Sequence, residues 1–245
     1  MRRSAMNAGA CHRSRDRGNR GDQLGDARPR KLTVECWFDF VCPWCWIGKR
    51  HLHAAVDALR ALRPDVRAEI VWHPYRLLPD VPRGGLPYDA FYRARLGGGD
   101  AVDARRAQVR QAGREAHLEF AFERIRTMPN THAAHAFVDA AAHAAHAARV
   151  DVDAMIERIF AAFFAHGRDI GDVATLECIA LESGLPQHTL PSRLGRLPPR
   201  SPRPLGVAHR DIAGVPAFRF GGRETLSGAR SPAVLLHAML RSLRA

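Results

Sequence analysis

Two cysteines with two residues between them, Cys42-Pro43-Trp44-Cys45, carry the most pointed chemistry in this 245-residue sequence. A helix starting at the first of them would put the two sulfurs one turn apart on the same side. The first sulfur would sit where unpaired backbone N–H groups and the helix dipole favour an anion. Such placement can lower a cysteine pKa from about 8.5 into the range of roughly 3.5–7.5. A thiolate attacks a disulfide, and a second thiol within reach resolves the mixed disulfide that forms. The spacing therefore assigns Cys42 as the exposed nucleophile and Cys45 as the resolving thiol one turn inside, with Pro43 and Trp44 in the positions that tune the couple. Zinc is the competing use of such a pair. Here there is no second C-x-x-C or C-x-x-H pair, and His51 and His53 are not spaced for a tetrahedral set, so no metal is expected.

The elements that must position those sulfurs follow from periodicity. Leu32, Val34, Cys36 and Phe38 alternate in a β-branched and aromatic run that reads as a strand. Pro43 suits the first position of a helix, because its missing N–H would be unpaired there. Ile47, Leu52, Ala55, Val56, Leu59 and Leu62 carry that helix to Pro64, and Val66 to Trp72 predicts a second strand. Prolines and glycines from Pro74 to Pro87 break regular structure, and Tyr88 to about Gly184 is helical in several pieces. Asn130 and Thr131 predict an N-cap for an Ala-rich helix to about Arg149, and Met155, Ile156, Ile159, Phe160, Phe163 and Phe164 predict a helix core. Ala217 to Phe220, a Gly221-Gly222 turn and Glu224 to Leu226 form a hairpin candidate, with a last helix opening at Ser231-Pro232. Strand–helix–strand, then a helical block, then strand–strand–helix is the order of an α/β thioredoxin fold interrupted by an all-helical insertion domain. The divisions expected are a disordered basic tail over 1–30, a first half over 31–80, the insertion over 81–185, a Pro/Arg-rich loop over 186–206 and a second half over 207–245.

The net charge of +12 invites a nucleic-acid reading. Nine of the basic residues lie within residues 1–31 beside only three Asp, and Arg193, Arg196, Arg200, Arg203 and Arg210 occupy an acid-free stretch. The remaining body is near neutral, and the basic stretches lack interleaved aromatics, so no nucleic-acid partner is expected. No apolar run reaches membrane-spanning length, and the first thirty residues have no apolar core of a secretory signal, so no membrane partner is expected and the cytoplasm is the default compartment. Five cysteines in a chain this long are not a secreted disulfide scaffold. Cys36 and Cys178 are expected to be buried thiols acting as small hydrophobes, and Cys11 lies in the tail.

The segment Asp39-Phe40-Val41-Cys42-Pro43-Trp44-Cys45-Trp46-Ile47-Gly48-Lys49-Arg50 resembles the DsbA-like thioredoxin family, in particular its FrnE-like cytoplasmic branch. Trp72-His73-Pro74-Tyr75-Arg76-Leu77, Asn130-Thr131 with Ala134-His135, Phe164 to Ile170, Gly214-Val215-Pro216-Ala217-Phe218 and Leu226 to Ala229 extend the likeness over about residues 31–245. The resemblance implies disulfide exchange at Cys42 and Cys45, with Val215-Pro216 as a cis-proline turn that shapes the site and binds a substrate strand beside the sulfurs. It also places Asn130, Thr131 and His135 near the redox centre as possible substrate-facing residues. The chain departs from the family pattern in the Pro/Arg-rich 191–206 stretch and in its first thirty residues.

The expected function is therefore a thiol–disulfide oxidoreductase or isomerase without a bound cofactor, acting on a disulfide-containing protein or small molecule, with glutathione as a possible co-substrate and a monomer or homodimer as its state. One alternative in the same fold is a glutathione-dependent transferase or isomerase of the kappa or 2-hydroxychromene-2-carboxylate type, which typically carries Ser at the Cys42 position. Another is a non-catalytic binding or chaperone-like module. His132, His135, His143 and His146 suggest a metal stripe, but the Ala-rich helix itself is the simpler account.

Overall fold

The computed structural model describes residues 29–148, 151–184 and 212–244. The expectations for the tail up to residue 28, including Cys11, and for the 186–206 stretch lie outside the described residues.

Strands β1 (Arg30–Phe38), β2 (Val66–Pro74), β5 (Ala217–Phe220) and β6 (Glu224–Ser227) form one sheet in the order β2-β1-β5-β6. β1 runs parallel to β2 and antiparallel to β5. A parallel pair needs a crossover, and α1 (Pro43–Leu62) supplies it. Leu32, Val34 and Cys36 bury one sheet face with Leu52, Ala55 and Leu59 of α1, Phe218 and Phe220 of β5, and Leu235 and Met239 of α7 (Pro232–Arg244). Each of the leucine, valine, phenylalanine and methionine side chains among them contributes about 1.5–3 kcal/mol on burial. The β5–β6 link is the three residues Gly221–Arg223, and both of its glycines hold left-handed φ, 57° and 73°, which side chains resist.

Between β2 and β5 lie α2 (Tyr88–Leu96), α3 (Gly99–Glu115), α4 (His132–Ala148), α5 (Val152–Phe164) and α6 (Val173–Glu182). Asp151 caps α5 by accepting from the backbone N–H groups of Asp153 and Ala154, and Asp172 caps α6 in the same way. The insertion is not helical throughout. β3 (Leu86–Pro87) pairs antiparallel with β4 (Thr127–Met128), a ladder too short, and with a proline in it, to leave an alternating signal. Cys178 is also exposed rather than buried. The α6 face that packs inward carries Leu176, Ile179 and Ala180, and position 178 falls on the other side of the helix.

The insertion core packs on the thioredoxin-like half through Phe38, Phe40 and Trp46. Trp46 of α1 lies between Phe160 and Phe164 of α5 and Phe120, with ring centroids 6.2, 6.0 and 5.2 Å away. Phe160, Phe163 and Phe164 are fully buried, as their helical spacing predicts.

Candidate active site

α1 begins at the redox motif because the chain allows it nowhere earlier. Cys42 is the N-cap, with extended backbone angles (φ −94°, ψ 107°), and Pro43 takes the first helical position. The Cys42 N–H donates to the Asp39 carbonyl at 3.1 Å, and the Cys45 N–H donates to the Cys42 carbonyl at 3.0 Å. These bonds make a tight turn that delivers the first sulfur to the helix mouth, where the free N–H groups of the first turn favour a negative charge.

The chain returns to this point 173 residues later. The Val215–Pro216 peptide is cis, and the Cys42 Sγ lies 3.7 Å from the Val215 carbonyl, to which the thiol donates. Pro216 is buried, and its carbonyl accepts from the Gly228 N–H at 2.7 Å, so the proline turn is tied to the end of the hairpin. Gly48 sets the distance between this turn and α1. A β-carbon there would fall 3.0 Å from the Pro216 Cγ and 3.1 Å from the Phe218 Cζ. A glycine inside a helix costs roughly 0.5–1 kcal/mol relative to alanine. Close approach of α1 to the cis-proline turn is what that cost obtains.

Cys42 is more enclosed than its expected part as an exposed nucleophile implies. Cys42 is 5% exposed and Cys45 is 2% exposed, so the nucleophile is not an exposed group, although it remains the more accessible of the two. The Val215 carbonyl covers it from one side, and Tyr92 of α2 is near enough for the Cys42 sulfur to influence its phenol. Burial, followed by the neighbouring Cys42, pushes the Tyr92 pKa up to about 12. Burial also pushes the Cys45 thiol well above its ordinary value, and the hydrogen bond it shares with Cys42 acts in the same direction. A hydrogen bond from the main chain of Asp39 pulls the other way, toward the thiolate. Cys45 therefore holds its proton in these surroundings. Cys36, on β1, is raised chiefly by burial.

Three polar links join the insertion to this motif, and of their members only His135 was a candidate site residue from the sequence. The Trp46 Nε1 donates to the Glu157 Oε1 at 2.8 Å. Lys49, only 4% exposed in its side chain, reaches the Asp153 Oδ2 at 2.8 Å and the Glu157 Oε2 at 3.0 Å, with Arg50 and His53 completing the cluster. His135 of α4 lies 3.1 Å from the carboxylate of buried Asp39. Two signals were present: Asp39 is a carboxylate in the apolar run Phe38 to Val41, and Lys49 is one of only two lysines in the chain.

Of the residues singled out beforehand, Cys42, Cys45, Pro43, Val215 and Pro216 converge at the α1 mouth, with Trp44 half-buried beside them. Asn130 caps α4 by accepting from the His132 N–H at 2.9 Å, and its amide donates to the Val81 carbonyl. Thr131 and His135 are 4% and 2% exposed. His135 turns inward onto Asp39, its ring beside those of Phe38 and Phe40. A groove of about 1260 Å³ beside β2, an edge strand among the described residues, is lined by Trp72, His135, Val138 and His53 among others, and neither Cys42 nor Cys45 lines it. Among the described residues no group of three or more His, Cys, Asp or Glu could hold a metal ion, and no helix is long and apolar enough to cross a membrane.

Solved structures share this architecture. A probable DsbA oxidoreductase from Streptomyces coelicolor superposes with a TM-score of 0.73 at 21% identity, covering 87% of this chain and 90% of that one. The cytosolic disulfide reductase DsbM from Pseudomonas aeruginosa, solved with GSH, gives 0.53 at 20% identity over 87% and 100%. A 2-hydroxychromene-2-carboxylate isomerase gives 0.50 at 15% identity over 86% and 96%. No curated protein matches the sequence. The DSBA-like thioredoxin domain model matches residues 33–194, most of the chain and the whole span from the redox strand through the insertion, and the chain belongs to that family.

Proposed function

We propose that the chain is a dithiol–disulfide oxidoreductase working through Cys42 and Cys45. The observation that carries the reading is the Cys42 sulfur at the N-terminus of α1, 3.7 Å from the carbonyl that precedes the cis-proline, with a buried thiol one turn behind it. In the reducing direction the Cys42 thiolate attacks one sulfur of a substrate disulfide. A Cys42–substrate bond forms, and the other substrate sulfur leaves with the electron pair and takes a proton. Cys45 then attacks the Cys42 sulfur, the intramolecular disulfide forms, and the second substrate thiol is released. Two substrate sulfurs are reduced and two protein thiols oxidised. The couple returns to the dithiol by the reverse exchange with an external thiol.

The substrate is a disulfide in a protein or a small molecule, glutathione is the returning thiol, and no bound cofactor takes part. Similarity to a cytosolic reductase solved with GSH supports this choice of thiol and a cytoplasmic setting. In such a setting the glutathione pool favours net reduction. A potential as oxidising as about −120 mV would contradict that direction. The transferase or isomerase alternative keeps the fold but has no use for Cys45, whose placement the disulfide reading explains. Insulin reduction with a glutathione supply tests the proposal. Cys42→Ser should abolish turnover, and Cys45→Ser should accumulate a mixed disulfide on Cys42. A Cys42→Ser protein as active as the wild type would end the oxidoreductase reading.

A further inference from the structure

A carboxylate with no exposure is costly unless every lone pair is engaged. Asp39 is 0% exposed, and it lies three residues before the nucleophile. Its Oδ2 accepts from the Leu77 N–H at 2.7 Å, and its Oδ1 is 3.1 Å from the His135 Nε2. The two oxygens thus pin the redox turn to the segment after β2 and to the first turn of α4. The His135 ring cannot swing away, since its centroid lies 5.2 Å from the Phe38 ring and 4.9 Å from the Phe40 ring, the two residues that flank Asp39 in sequence. The Asp39 main chain in turn holds both sulfurs in place. Its carbonyl accepts the Cys42 N–H at 3.1 Å, and the Cys42 carbonyl in turn accepts the Cys45 N–H at 3.0 Å.

We propose that Asp39 and His135 are a positioning pair for the resolving step, holding the turn from which Cys45 attacks the Cys42 mixed disulfide; this rests on the oxidoreductase reading. In that step Cys45 gives up its proton and bonds the Cys42 sulfur. The bond from Cys42 to the substrate breaks, and the departing sulfur keeps the electron pair and gains a proton. Asp39 contributes by placement: its carboxylate fixes where the turn lies, its carbonyl holds the Cys42 N–H and the Cys42 carbonyl holds the Cys45 N–H, so the pair sets the line along which Cys45 meets the Cys42 sulfur. Neither member of the pair touches the substrate. The first step, attack by Cys42 on the incoming disulfide, draws mainly on the helix mouth and is less dependent on them.

The test uses the full reduced chain with oxidised glutathione as the probe disulfide, acid quenching and intact mass to separate the glutathione adduct from the intramolecular disulfide. Asp39→Ala should lengthen the life of the adduct about tenfold, the cost of displacing the attacking sulfur by roughly half an ångström, while adduct formation stays near the wild-type rate. Asp39→Asn keeps an acceptor for the Leu77 N–H and a donor for the His135 ring, and should restore rapid resolution. His135→Gln should slow resolution in the same sense and carries the test if Asp39→Ala does not fold, with near-ultraviolet circular dichroism as the check. Wild-type adduct lifetimes in Asp39→Ala and His135→Gln would overturn the proposal. So would an Asn variant as slow as the Ala variant, since charge rather than placement would then govern the step. A wild-type chain that forms neither species would sink the oxidoreductase reading itself and this proposal with it, a result visible before any variant is made.

Discussion

Gly48→Ala sets two opposed effects against each other at the centre of the site. In a helix the change should stabilise by about 0.8–1.0 kcal/mol, because alanine loses less conformational freedom on folding. The added β-carbon would lie 3.0 Å from the Pro216 Cγ, 3.1 Å from the Phe218 Cζ and 3.4 Å from the Pro216 Cβ. Ordinary carbon–carbon contact is about 3.5–4.0 Å, so α1 and the cis-proline turn must separate by roughly half an ångström. A proline ring and a buried phenylalanine have no freedom to swing aside, and overpacking of this kind costs about 1–3 kcal/mol. The net result should be a loss of up to about 2 kcal/mol in urea unfolding. The effect on chemistry should be clearer. The Cys42 sulfur and the Val215 carbonyl are carried by the two elements being pushed apart, and misplacement by 1 Å can cost about a hundredfold in rate. Half that displacement predicts roughly a tenfold fall in insulin reduction. A Gly48→Ala protein that is more stable than wild type and fully active would show that α1 and Pro216 have room between them, and the account of why residue 48 is glycine would be wrong.

Other consequences can be checked separately. Lys49→Met strips the cation from Asp153 and Glu157 and should cost about 2–3 kcal/mol in urea, below the 3–5 typical of a fully buried pair because both carboxylates are partly solvated and retain His53 and Arg50; an unchanged midpoint would remove the seam between α1 and α5 as a source of stability. In the reduced protein, Cys45 and Cys36 have folded pKa values above their ordinary 9.0. Below that pH both states keep the proton and the full stability is present; above it the unfolded chain ionises first. Stability should then fall by up to about 1.4 kcal/mol per pH unit for each thiol. Once Cys45 is locked in the disulfide its share should vanish, so equal alkaline slopes for the reduced and oxidised chains would argue against a raised Cys45.

The sequence disclosed the fold through features that are local. Alternation in β1, Pro43 at the first position of α1, the Gly221-Gly222 turn and the apolar stripe of α5 all act within a few residues, and each appears where its spacing puts it. The cysteine pair was legible for the same reason. What escaped depends on contacts distant in sequence. Nothing near His135 indicates that its ring will meet Asp39, 96 residues earlier, and on an Ala-rich helix it resembled its scattered neighbours. Gly48 gave no sign that Pro216 would approach it. Cys178 was misplaced because an apolar helix such as α6 buries only one side, and sequence alone did not say which. The covering of Cys42 by the Val215 carbonyl likewise comes from a part of the chain 173 residues away.

These long-range contacts change what the insertion does. If it were an appended domain, it would meet the sheet through an apolar surface alone, and the redox turn would be complete without it. Instead Trp46, Lys49 and Asp39, all within ten residues of Cys42, each bond a residue of α4 or α5. Polar bonds of this kind fix orientation more narrowly than apolar contact, because each has a preferred distance and direction. A shift of α4 and α5 relative to the sheet would therefore be felt first at the Asp39 turn and on the buried side of α1, where Cys45 sits. The helical block therefore helps decide where the two sulfurs lie relative to each other, through the turn that Asp39 holds and through the buried side of α1.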